Sequence, residues 1–185
     1  PEPVFPPLDA TSIIRSITDH KTTSSSPSRA NPIPTSWDLV SENDHSRIYV
    51  EEGLSISSSD IDALAEIFDD SIYPNSTDWF HPSNPYDVID IRIYDFGDGP
   101  GNTGGFFLGS YATRNDLFVD SADLDYSRSW SFEIVAHEFQ HLLHFDLDSD
   151  ESIWLNEGLA DLSARISLGP GTEGIQSHIE AYEYY

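Results

Sequence analysis

No cysteine occurs among the 185 residues, so disulfides and thiolate ligands are both excluded, and any metal must be held through nitrogen and oxygen. Such a chain carries no mark of the redox state of its compartment. Basic residues are nearly as scarce: seven arginines and the single lysine, Lys21, face 33 acidic side chains, for a formal net charge of −25. A surface of that sign repels nucleic-acid phosphates and anionic lipids, which argues against both as partners, and tolerates basic or neutral polypeptides better than acidic ones. Salty or calcium-containing water would screen the self-repulsion, as suits an exported protein. Long apolar runs are also missing. Nothing approaches the roughly eighteen residues needed to span a bilayer, and no export signal precedes Pro1, so the chain is expected to be a processed piece whose signal has been removed.

What remains is enough for one domain with a real core. Residues 1–45 hold seven of the twelve prolines and a Ser/Thr cluster at 22–28, and read as an extended arm rather than a folded unit. Residues 46–185 read as the folded, α+β part. Arg47 to Glu51 has strand chemistry. Ser57 to Asp60 offers caps for a helix through Phe68 with Ile61, Leu64, Ala65 and Phe68 inward, which Tyr73-Pro74-Asn75 is expected to break. A loop with Trp79, Phe80 and His81 then leads to an alternating strand, Val88 to Tyr94. Residues 95–102 form a turn-rich loop, and 104–110 and 116–120 two short strands. A helix from Ser129 to Phe145, capped by Ser129 or Ser131, turns Phe132, Val135, Ala136, Phe139, Leu142 and Leu143 inward. A last helix, Ser152 to Leu168, carries Ile153, Leu155, Leu159, Ala160, Leu162 and Ile166 and stops at Gly169-Pro170-Gly171.

The chemistry is concentrated in His137-Glu138-Phe139-Gln140-His141 and the later Asn156-Glu157-Gly158-Leu159-Ala160-Asp161. On a helix, residues 137 and 141 are separated by about 6 Å of rise and roughly 40° of rotation, so both imidazoles leave one face and can bind one cation. Glu138 is turned about 100° from His137, badly placed as an equal ligand but well placed as the general base for a water on the metal. A catalytic zinc site takes three protein ligands and leaves one position open, and Glu157 is the candidate third. Asp161, one turn further on the same face, can accept the free ring N–H of a ligating histidine.

This wording, AHEFQHLLHF followed by WLNEGLAD, resembles the gluzincin metallopeptidases, and within them the hyicolysin-like family of secreted neutral zinc endopeptidases, with immune-inhibitor-A-like enzymes a more distant likeness. The motif evidence covers residues 136–161, and a weaker likeness reaches back through FDDSIYP to Ile48. The resemblance implies a zincin-type fold, a small mixed, twisted sheet packed on the metal-binding helix and followed by a glutamate helix. It implies one zinc per chain on His137, His141 and Glu157, Glu138 as base, Asp161 as the partner of His137 and Asn156 as the orienting partner of His141. An edge strand before the metal helix, Leu117 to Val119 or Phe106 to Leu108, is expected to pair with substrate backbone. In such enzymes a Tyr or His from a C-terminal subdomain stabilises the oxyanion. His178, Tyr182 and Tyr184 are the candidates here, and the subdomain is expected to be incomplete or supplied by a separate polypeptide.

Rival readings bear on the same residues. The metzincin pattern fails, because Gly and a third His are required where His144 and Leu147 stand. His144, at seven residues, lies too far along the axis to share a metal with His137 and suits a helix end or a place under the site. Asp146, Asp148 and Asp150 with Glu157 mimic an EF-hand, but Glu151 occupies the position that requires Gly; these aspartates and the loop 95–102 are the candidates for calcium. The function expected is a secreted zinc endopeptidase acting on proteins and peptides. The alternatives are a latent or non-catalytic binding or adhesion module on the same scaffold, and an aminopeptidase.

Overall fold

In the computed structural model, which describes residues 31–109, 115–170 and 172, the alternation of Ile89, Ile91 and Ile93 with Asp90, Arg92 and Tyr94 produces the middle strand of a mixed five-stranded sheet. The strands are β1 (Trp37–Glu42), β2 (Ser46–Glu51), β3 (Ile89–Tyr94), β4 (Gly105–Phe107) and β5 (Asp116–Asp120), in the order β1-β2-β3-β5-β4. The three central strands run parallel, and β1 and β4 close the two edges antiparallel. The helices are α1 (Ser58–Ile67), α2 (Tyr73–Phe80), α3 (Ser121–Tyr126), α4 (Arg128–Leu147) and α5 (Ile153–Leu168). The class is α+β, as expected.

One sheet face, carrying Ile48, Val50, the three isoleucines of β3, Leu117 and Val119, buries against Ile61, Leu64 and Phe68 of the first helical segment and Val135, Phe139, Leu142 and Leu143 of α4. Each such side chain contributes about 1.5–3 kcal/mol by leaving water, so this layer dominates the stability. The other face is aromatic: Phe106 stacks on Phe118 across the β4–β5 pair with centroids 4.7 Å apart, beside Tyr94 and Phe96. Among the described residues no helix is long and apolar enough to cross a membrane.

Several expectations need correction. Trp37–Glu42, inside the stretch read as an extended arm, is a strand paired with β2. Tyr73-Pro74-Asn75 does not end the helical run. A single π turn, Phe68–Ile72, closed by the Tyr73 N–H on the Phe68 carbonyl, connects α1 to α2, and Pro74 falls in the first turn of α2, where a missing N–H is tolerated. Trp79 and Phe80 are therefore helical. The short α3 was not foreseen, and α4 is capped by Ser127, whose hydroxyl accepts from Trp130 N–H at 3.4 Å, in place of Ser129 or Ser131. Of the two edge-strand candidates, Leu117 to Val119 is interior and Phe106-Phe107 lies on the edge. The candidates His178, Tyr182 and Tyr184 lie outside the described residues, as do residues 1–30.

Candidate metal centre

While Val135, Ala136, Phe139, Leu142 and Leu143 hold α4 on the sheet, His137 and His141 turn toward α5. That helix approaches through small side chains. Its buried face is Ala160, Ser163, Ala164 and Ser167, whereas the apolar Ile153 and Leu162 are 60% and 46% exposed. The hydroxyls of Ser163 and Ser167 meet Ser76 of α2 at 2.8 and 3.3 Å, and Ser71 donates to the Ser167 carbonyl. These contacts fix α5 and, with it, the carboxylates it presents.

Three donor atoms then converge. His137 Nε2 and His141 Nε2 lie 3.0 Å apart, and Glu157 Oε2 is 3.4 Å from the first and 3.8 Å from the second. A point equidistant from all three lies about 2.0 Å from each, the length of a zinc–nitrogen or zinc–oxygen bond. The outer nitrogens set the tautomers. His137 Nδ1 meets Asp161 Oδ1 at 3.1 Å and His141 Nδ1 meets Asn156 Oδ1 at 3.1 Å; both partners are acceptors, so each ring donates from Nδ1 and turns Nε2 toward its neighbour. At 3.0 Å the two Nε2 atoms need either a shared proton or a metal cation between them. Burial drives His137 toward its neutral form, but hydrogen bonds to Asp161 and Glu157 and the charge of Glu138 reverse this and lift it to about 10. The surrounding carboxylates thus call for positive charge at this point.

Glu138 also offers an oxygen within 4.8 Å of the imidazole nitrogens. That makes two carboxylates available to one ion, Glu138 from α4 and Glu157 from α5. The Glu157 distances to both Nε2 atoms are of ligand-to-ligand size, which would leave Glu138 to a water beside an ion held there.

Strand β4 runs against this side of α4. A Cβ built on Gly104 or Gly105 would collide with Ile134, and at Gly105 it would also lie 2.9 Å from the Phe118 carbonyl and 3.3 Å from Glu138 Cγ. The missing side chains let the edge strand approach the glutamate. Next to the donors a cleft of about 210 Å³ is lined by Phe107, Phe145, His144, Asp148, Glu151 and Glu157, among others. His144 therefore stands beside the site, in the last turn of α4, as one of its two readings expected.

The remaining acidic candidates do not gather. Asp146 accepts from Tyr86 Oη at 3.3 Å and faces His81, while Asp148 accepts from its own turn, at Asp150 N–H, 3.0 Å away. What the motifs missed is the role of small residues, the glycine pair at the start of β4 and the serines on α5. The Gly104-Gly105 pair ahead of two phenylalanines was the available signal for the first, and the serines carry none that separates them from a solvated face. No protein-family model matches the chain, and no curated protein matches it.

Proposed function

We propose that the chain is an exported zinc-dependent endopeptidase of gluzincin type, built on a zincin-type fold and most similar in its motifs to the hyicolysin-like family. The observation that carries this reading is the convergence of His137 Nε2, His141 Nε2 and Glu157 Oε2 on one point, with Glu138 beside it. A zinc ion held there supplies an electrophile that lowers the pKa of water and polarises a carbonyl. Glu138 takes the proton of the attacking water as the new C–O bond forms and gives it to the amine as the C–N bond breaks. Asp161 and Asn156 keep the imidazoles in the tautomer that presents Nε2. Strand β4, last in the described sheet, offers main-chain groups at Phe107 for an extended peptide, a sequence-tolerant mode of binding. With Asp148, Glu151 and Glu157 along the cleft, basic or neutral peptides are the better substrates.

Hydrolysis of casein or gelatin, abolished by a zinc chelator and restored by added zinc, with one zinc per chain by metal analysis, is the expected result. Cleavage of an aminoacyl-anilide in place of internal bonds would make the chain an aminopeptidase. A zinc-loaded protein that cuts neither would be a binding module. Asp161→Ala is expected to weaken zinc binding by about 10–100-fold, read by competition with a chromophoric chelator, with unfolding temperature unchanged. Undiminished affinity would remove Asp161 from the orienting role.

A further inference from the structure

Away from the histidines, the loop after β3 is tied by backbone hydrogen bonds to the junction of β5 and α3, which places Asp98, Asp120 and Asp123 within reach of one another's charge. Each carboxylate uses one oxygen to accept from backbone. Asp120 Oδ1 accepts from Phe96 N–H at 3.1 Å and Ala122 N–H at 3.2 Å, Asp123 Oδ1 from Gly101 N–H at 2.6 Å, and Asp98 Oδ2 from Thr103 N–H at 3.3 Å. The other oxygen of each, Asp98 Oδ1, Asp120 Oδ2 and Asp123 Oδ2, is buried and meets no hydrogen-bond donor among the described residues. The Asp120 and Asp123 residues are both 0% exposed. The described arginines are engaged elsewhere: Arg47, Arg92 and Arg128 pair with Asp90, Asp116 and Asp60, and Arg165 donates to the Gly169 carbonyl.

Buried carboxylate oxygens without partners are among the costliest groups a fold can carry, and three that repel one another are worse. Burial, together with the charges of Asp123 and Asp98, holds the Asp120 carboxyl up at about 6 against two backbone hydrogen bonds, and burial with Asp98 also raises Asp123. The donor set is oxygen alone, which suits a hard ion, and an irregular glycine-rich loop suits calcium better than the strict octahedron of magnesium.

We propose that Asp98, Asp120 and Asp123 bind one calcium ion, which ties the loop 96–104 to the β5–α3 junction and so secures the start of β4. The sequence had pointed to this loop alone; Asp120 and Asp123 come from the fold. The inference does not depend on zinc or proteolysis.

The test follows thermal unfolding of the chelator-stripped, dialysed chain in calcium, in magnesium at equal concentration and without divalent ion, alongside calorimetric titration with calcium chloride. Calcium is expected to raise Tm by roughly 5–10 °C at about a hundredfold excess over Kd, and magnesium to do little. Asp123→Asn and the more exposed Asp98→Asn are expected to erase that response. Without calcium Asp123→Asn should melt no lower than the parent, because one buried charge has gone. A parent indifferent to calcium, magnesium matching calcium, or Asp98→Asn responding as strongly as the parent would each overturn the site.

Discussion

Glutamine in place of Glu138 is expected to lower peptide hydrolysis by about 10²–10⁴-fold, the range for removing a positioned acid–base group, and to leave one zinc per chain. The amide keeps the size and hydrogen-bonding reach of the carboxylate but cannot accept the proton of the attacking water or return it to the amine. Because the group acts in the transition state, the loss should fall on kcat with KM little changed. The zinc content is the decisive second reading. Both Glu138 and Glu157 approach the imidazole pair; if Glu138→Gln loses zinc and Glu157→Gln retains it, the ligand and the base exchange roles. If the variant hydrolyses casein at the parental rate, the base is another group.

Phe139→Ala is expected to cost about 3–5 kcal/mol of folding stability, a fall in Tm of roughly 6–20 °C for a chain of this size. Phe139 occupies the position between His137 and His141, yet points the opposite way. It is fully buried, with its ring 5.3 Å from Phe68 and 5.7 Å from Tyr73. Truncation opens a cavity under the middle of α4, where the π turn, α2 and the sheet meet. Chemical or thermal unfolding measures it directly, and a loss below about 1 kcal/mol would mean that the site collapses around the smaller side chain.

The convergence of the candidate ligands was legible because helical periodicity converts spacing into geometry. Residues 137 and 141 had to share a face, and Glu157 and Asp161 had to share another. How the two faces meet was not legible, since it depends on Ala160, Ser163, Ala164 and Ser167, side chains too small to register in an apolar pattern but small enough for α5 to come close. The first strand escaped for a related reason. Trp37–Glu42 shows little alternation, with Leu39 and Val40 largely exposed, and its pairing with β2 defines it rather than its composition. Pro74 misled because a proline that would break an α-helical interior is harmless once a π turn restarts the helix. The three aspartates of the proposed calcium site are divided between a loop and a strand–helix junction about twenty residues later, a distance that only the parallel β3–β5 pairing closes.

The glycine pair at the start of the edge strand also limits how the cleft could be reshaped in the laboratory. Position 105 is closed to a larger residue by the Phe118 main chain as well as by Ile134, so random mutagenesis there should yield mostly silent or dead clones, while at 104 the nearest atom is the end of the Ile134 side chain, which can turn aside. Altered selectivity would have to be sought at Phe107, His144 and Glu151, where the wall has room to vary without moving the backbone that faces Glu138.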